Sequence, residues 1–351
     1  MSRQQATQAQ QAGADAVETS NEGPEIKRRT GRVWTRTYRQ ELLLLGIILL
    51  LVVVFGLLNS NFLSAANLSN TAQDATETAM LAIAETYVII TAGIDLSVGA
   101  VLGLSGVVSA MVMGALTASL GGIGAFAAGC AAALAVGVLV GLANGLMIVR
   151  VRITPFIATL ATLGIATGMT MVLTNGVDVQ GVPQVAATLG NSVFAAVFTL
   201  PIVVTILAAV IGGIYLHKSR FGRWTYALGS NAAAARGAGI PTQKHLISIY
   251  LLSGMISSIA GLLDLMRLGT GSPLEGVNSE LNAIAAVVIG GASLFGGVGT
   301  MVGSMLGAII LSMVLGGLII GGVQPNWQTV VTGLLIAGAV AFQQVGRKAS
   351  V

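Results

Sequence analysis

Charge is what this chain has least of. Only 9% of its residues are Asp, Glu, Lys or Arg, where soluble domains carry about a quarter, and that deficit argues against an ordinary water-soluble domain. Cysteine occurs once, as Cys130 inside an apolar run, which excludes an intrachain disulfide framework and a cysteine-cluster metal site. Histidine occurs twice, as His217 and His245. Both flank a basic loop and read as interfacial residues that snorkel toward water rather than as catalysts. No G-x-x-x-x-G-K-[ST] string is present, so the chain lacks the phosphate-cradling loop with which it could hydrolyse ATP itself. Gly290–Gly299 has the composition of such a loop without its lysine. No hydrolytic or redox constellation stands out, and the expectation is no catalytic residue, no metal and no cofactor in this chain. The net charge of +4 is no nucleic-acid signal, because where the positives sit matters more than their sum.

What is abundant is apolar surface and glycine. The chain is 54% hydrophobic with 47 glycines among 351 residues. Lipid gives helices no hydrophobic reason to associate, so small residues that let backbones approach become the packing device. Two ladders spaced by four, Gly137–Gly141–Gly145 and Gly299–Gly303–Gly307, fit that device, although glycine is also generic in membrane helices.

Residues 1–41 are polar and then basic, with Lys27, Arg28, Arg29, Arg32, Arg36 and Arg39. They read as a largely disordered cytoplasmic tail ending in a juxtamembrane basic cluster. The apolar membrane domain, 42–346, follows, and 347–351 form a short second tail. Leu42–Leu58 reads as an uncleaved first helix; the alternative is a cleaved signal peptide ending near Ser64-Ala65-Ala66, disfavoured because the apolar run exceeds a typical signal core and follows a 41-residue leader. Apolar segments recur near Thr78–Ala92, Leu96–Leu116, Gly122–Val149, Pro155–Thr174, Val193–Leu216, His245–Met266, Leu281–Ser293, Met301–Ile320 and Trp327–Val345. That predicts an all-α polytopic membrane protein with about ten spans, of which Leu281–Ser293 is short enough to be broken or re-entrant. Threading ten spans from an inside N-terminus places every lysine and arginine except Arg267 on the inner side. Asp74, Glu77, Asp178, Glu275 and Glu280 fall outside, a positive-inside pattern with both termini cytoplasmic.

The stretch 217–244 is the long polar interruption of the apolar domain, and its Lys218, Arg220, Arg223 and Arg236 have no acid among them. Its alanine run Asn231–Arg236, bracketed by Gly229 and Gly237, predicts a short helix on the membrane surface. Three acids lie within or at the edges of spans, where a central charge costs roughly 2.5–3.5 kcal/mol on insertion scales. Glu85 faces either a wet pathway or a partner on another helix. Asp95 lies at a break between spans, where it could cap the next helix. Asp264 has Arg267 one helical turn on, which predicts an ion pair at the outer mouth or a contact for an incoming partner, with Glu275 and Glu280 nearby in sequence.

Several strings together resemble the ribose-type permeases of bacterial ATP-binding-cassette importers, within the branched-chain and ribose permease family. They are Gly93-Ile94-Asp95-Leu96-Ser97-Val98-Gly99, Gly141-Leu142-Ala143-Asn144-Gly145, and Pro155-Phe156-Ile157-Ala158-Thr159-Leu160. The loop from Phe221-Gly222-Arg223 through Gly229, Asn231, Ala235 and Arg236 to Gly239-Ile240 is similar to that family's cytoplasmic coupling loop. Ala283–Gly291 and Ser293–Gly297 match further on, so the likeness covers about 42–345. The chain departs from it at Thr167, Ala232 and Asn282, where the family often has arginine, an acid and aspartate. The resemblance implies a monosaccharide permease in the bacterial inner membrane, usually a dimer of permease subunits. Its partners would be two ATP-binding subunits or one fused ATPase carrying the ATP and magnesium, and a periplasmic sugar-binding protein, with no nucleic acid. It implies that Gly222, Arg223, Gly229, Asn231, Ala235, Arg236 and Gly239 engage the ATPase. Glu85, Asp95, Ser97, Asn144, Thr159 and Asn282 are candidates for the pathway or gate, and Asp264, Arg267, Glu275 and Glu280 for the outer partner contact. The rival readings are an ion-coupled secondary transporter or facilitator working without an ATPase, and a branched-chain amino-acid importer permease.

Overall fold

A computed structural model describes residues 30–194, 197–324 and 326–348. Residues 1–40 form one unit and 41–351 another, and the predicted tail lies outside the described residues as far as position 29. The larger unit is helical, and among the described residues β-pairing is confined to the isolated bridges Val179–Gly271 and Phe194–Phe198.

In chain order the helices are α1 (Thr30–Leu58), α2 (Ala65–Ile90), α3 (Val98–Leu146), α4 (Pro155–Thr174), α5 (Gln184–Asn191), α6 (Leu200–Lys218), α7 (Arg220–Ser230), α8 (Ala232–Gly237), α9 (Thr242–Leu268), α10 (Ser279–Ile289), α11 (Met301–Ile320) and α12 (Asn326–Lys348). Among the described residues, six stretches are long and apolar enough to cross a membrane: those at Arg39–Leu58, Val98–Val151, Pro155–Thr174, Leu200–Lys218, Thr242–Leu268 and Met301–Ile320. Their outer faces carry bare aliphatic side chains, with Leu139 67%, Val172 72% and Ile211 65% exposed, far more apolar surface than water tolerates.

Five predicted segments differ in extent. Leu96–Leu116 and Gly122–Val149 are joined as α3, which breaks where Gly121 takes φ 67°, ψ 172°. The Thr78–Ala92 segment begins earlier, at Ala65, because the polar first half of α2 is drawn into side-chain bonds with α9 and α10. Val193–Leu216 is a loop until Leu200, where Pro201 fits the first turn of α6. The Leu281–Ser293 segment is the 11-residue α10, about 16 Å long at ~1.5 Å per residue, roughly half a hydrocarbon core.

The glycine ladders are where backbones touch. A methyl group at Gly137 would strike the Gly254 carbonyl and Ser258, and one at Gly141 or Gly145 would come within 2.9 Å of the Cα of Leu251 or Ile247. Thus the second half of α3 lies directly on α9. In the other ladder Gly303 abuts the Gly290 carbonyl and Gly307 the Ala286 carbonyl, seating α11 on α10.

Two ends of the bundle differ in charge. At one, Arg267 near the end of α9 pairs with Asp74 near the start of α2, and Ser279 at the start of α10 donates to Glu77. At the other, the last turn of α2 meets the basic α7–α8 region, and His245 at the start of α9 bonds Thr225 of α7 at 3.0 Å. So α2 and α9 run in opposite directions between an acidic and a basic end.

Candidate functional site

The core of the site is the break between α2 and α3. The chain leaves α2 at Ile90, turns through Ala92 with φ 63°, and re-enters helix at Val98. Glu85, one turn and a half before the break, is fully buried, and its Oε1 accepts the Asp95 N–H at 3.2 Å. Asp95 is itself 1% exposed. Its Oδ1 accepts from the Ser97 N–H at 3.0 Å and the Ser97 hydroxyl at 2.6 Å, and its Oδ2 accepts the Ser253 hydroxyl of α9 at 2.8 Å. The Asn144 amide of α3 donates to Ser97 Oγ at 2.9 Å, and its Oδ1 accepts the Thr162 hydroxyl of α4 at 2.6 Å. Thr159, one turn before Thr162, accepts the Leu96 N–H at 3.1 Å and donates toward the Ile94 carbonyl at 3.2 Å.

Five residues singled out from sequence, Glu85, Asp95, Ser97, Asn144 and Thr159, therefore meet in one buried network that ties α2, α3, α4 and α9 to the break. Asn282 does not join it; its Oδ1 accepts the Thr332 hydroxyl of α12 at 3.1 Å. Asp95 caps α3 only indirectly, through the turn at Ser97. Thr162 and Ser253 were missed. Their signal is a hydroxyl on the buried face of an otherwise apolar helix, which is common enough in membrane helices to escape notice. Two polar atoms here lack a hydrogen-bond partner, Glu85 Oε2 and the Tyr250 hydroxyl.

The basic element lies against the back of the same break. The loop predicted to hold one surface helix holds two. Ser219 caps α7 by accepting the Gly222 N–H at 3.2 Å, and Asn231 Oδ1 caps α8 by accepting the Ala233 and Ala234 N–H groups at 3.0 Å each. Gly222 has no room for a side chain against the Leu216 carbonyl, and Gly229 none against the Ile90 carbonyl. That Ile90 carbonyl also accepts the Gly297 N–H at 2.8 Å, and Tyr226 of α7 donates to the Gly299 carbonyl at 2.6 Å. Burial raises the Tyr226 phenol to about 12, so it remains a donor. The start of the basic loop at α7, the end of α2 and the glycine-rich loop after α10 thus share one contact point. Arg223, Arg236 and Gly239 are exposed, while Ala235 is buried.

The histidines do not both snorkel. His245 is 3% exposed, bonded to Thr225 and packed edge-on against Phe221 and Trp224. It fastens α7 to α9. The predicted Asp264–Arg267 pair is not formed either. Arg267 turns outward to Asp74, whereas Asp264 faces inward at 6% exposure. Between α3, α4 and the loop before α10 opens a cavity of about 150 Å³, whose polar lining includes Thr167, Thr170, Glu275, Asn278 and Glu280.

The family model described as "Branched-chain amino acid transport system / permease component" matches residues 67–340. The chain belongs to that family. It is 38% identical over 312 residues to the ribose import permease protein RbsC of Escherichia coli (strain K12), covering 88% of this chain and 95% of the relative. The RbsC protein of Bacillus subtilis (strain 168) is 40% identical over 304 residues, 86% and 91% of the two chains. The fructose import permease protein FrcC of Rhizobium meliloti is 36% identical over 310 residues, 86% and 84%. The chain is therefore a multi-pass membrane protein and a permease component of a transport system, not an enzyme.

Proposed function

We propose that this chain is the permease subunit of an ATP-binding-cassette importer that moves a monosaccharide, ribose or a related pentose or polyol, across the bacterial inner membrane. The observation that carries this is the near full-length similarity to ribose import permeases in two organisms. The family description names branched-chain amino acids, but the relatives described above are named as ribose and fructose import permeases, which favours a sugar cargo.

In this reading ten crossings run with both termini in the cytoplasm: α1, α2, the two halves of α3, α4, α6, α9, the short α10 completed by the glycine-rich loop that follows it to the end of α2, α11 and α12. The basic end then faces inward and the acidic end outward, as the positive-inside rule requires. Two copies pair, ATP-binding subunits carrying ATP and magnesium dock on α7 and α8, and a sugar-binding protein delivers cargo at the acidic end. The exposed Arg223 and Arg236 would meet acids on the ATPase, and Asn231 holds α8 in place for that contact. Because Gly229 presses on the Ile90 carbonyl, movement of α7 reaches the α2–α3 break five residues from Glu85. The buried network gives that break a fixed position in each state, and the cavity beside Thr167 and Thr170 offers hydroxyl-rich walls for a sugar on the outer side. No covalent change to the sugar is required.

An ion-coupled transporter would need a wet pathway to its ionisable groups. Glu85 and Asp95 are instead enclosed, which argues against that class. The test is purification of the tagged chain from its native membrane in mild detergent with mass spectrometry of its partners. Recovery of a Walker-loop ATPase that is lost in Arg236→Glu would support the reading; a chain that transports sugar while purifying alone would refute it.

A further inference from the structure

The acidic end holds three carboxylates closer together than repulsion permits unaided. One oxygen each from Glu77 of α2, Asp264 of α9 and Glu275 of the following loop lies within 4.8 Å of the other two. Asp264 is 6% exposed and its Oδ2 has no hydrogen-bond partner. Buried carboxylates without a partner are rare; they are paired or they bind a metal. The neighbouring cation, Arg267, is already bonded to Asp74, and Ser279 satisfies one oxygen of Glu77. Asp178 adds further negative charge beside Glu275.

We propose that Glu77, Asp264 and Glu275 form a site for one hard divalent cation, with calcium favoured over magnesium. The three oxygens lie within 4.8 Å of one another, no farther apart than two ligands across one calcium ion at ~2.4 Å each. Magnesium, at ~2.1 Å with a strict octahedron, demands a tighter set. A cavity of about 10 Å³ lined by Asp264, Glu275, Gly103 and Ser272 is about the space of one water-sized sphere, and water can complete the shell. The ion would fasten the middle of α2 to the end of α9 and to the loop that also walls the 150 Å³ cavity at Glu275. It would thereby set the shape of that cavity's mouth. Along the chain Glu77 is far from Asp264 and Glu275, and only the fold brings the three together, against the expectation of no metal.

The test is equilibrium binding of radiolabelled calcium to the full chain in nanodiscs after chelator treatment, together with melting temperature. The expected result is one calcium per chain with a dissociation constant around 10⁻⁴–10⁻³ M, the range of extracellular sites. Asp264→Asn and Glu275→Gln should each weaken it at least tenfold and abolish the calcium-induced rise in melting temperature, with unchanged circular dichroism. Should Asp264→Asn fail to fold, Glu275→Gln, in a partly exposed loop, still decides the matter. No saturable binding of calcium or magnesium by the folded wild-type chain, or binding undiminished in Glu275→Gln, would overturn the proposal.

Discussion

The Asp95 backbone N–H donates to Glu85 Oε1 at 3.2 Å, tying the two sides of the α2–α3 break together through a side chain rather than a helix. A buried donor left without its acceptor costs about 1–3 kcal/mol. Glu85→Gln keeps the acceptor oxygen, and sugar uptake should persist within a few-fold of wild type. Glu85→Ala removes it and should lower stability by about 1–3 kcal/mol and uptake at least tenfold, as measured by detergent melting and vesicle transport. A Gln variant as inactive as the Ala variant would show that the charge itself is needed.

Backbone contact between α3 and α9 makes a second, purely steric prediction. Gly137→Val places two methyl groups where the Gly254 carbonyl and Ser258 already lie, and the protein should be lost from the membrane fraction. Gly164→Ala meets nothing within 4 Å and should express and melt as wild type does. Quantitative blotting of membranes checks both.

The mounting of α7 can be loosened without touching its exposed face. Thr225→Val removes the bond to His245 at 3.0 Å, a loss of about 1 kcal/mol. Membrane insertion should be normal, whereas stimulation of the bound ATPase by loaded binding protein should fall several-fold. Gly229→Val, which collides with the Ile90 carbonyl, should abolish that stimulation.

Much of this arrangement was legible in the residues. Helix-length apolar runs gave the all-α membrane architecture, the glycine ladders marked two seams where helix backbones meet, and the motif around Asp95 marked the break. Tertiary geometry decided the rest. Nothing in a run of apolar residues tells that Ser253 faces Asp95, or that Arg267 leaves its neighbour Asp264 for Asp74. His245 looked interfacial because it borders a basic loop, yet α7 folds over it and buries it. The length of α10 was readable; the seat of its loop on Ile90 was not, because that contact joins segments far apart in sequence.

Glu275 supplies a pH prediction. Its carboxyl is raised above 4.5 by burial and by Glu77, so the folded state holds this proton more tightly than the unfolded chain. That stabilisation is complete below about pH 4.5 and is lost as pH rises through the folded-state value. In chelator, the melting temperature of wild type relative to Glu275→Gln should therefore fall from pH 4.5 toward neutrality. Millimolar calcium should flatten the difference. A difference that grows in favour of wild type with rising pH in chelator would reverse the sign of the argument.

The most direct measurement is uptake of radiolabelled ribose into proteoliposomes holding this chain, with its ATPase subunits and binding protein added or withheld. Uptake is predicted to require all three components and internal or external ATP on the side of α7 and α8, and to vanish in Arg236→Glu while insertion stays intact. Ribose uptake by the chain alone, driven by an ion gradient and indifferent to ATP, would contradict the account.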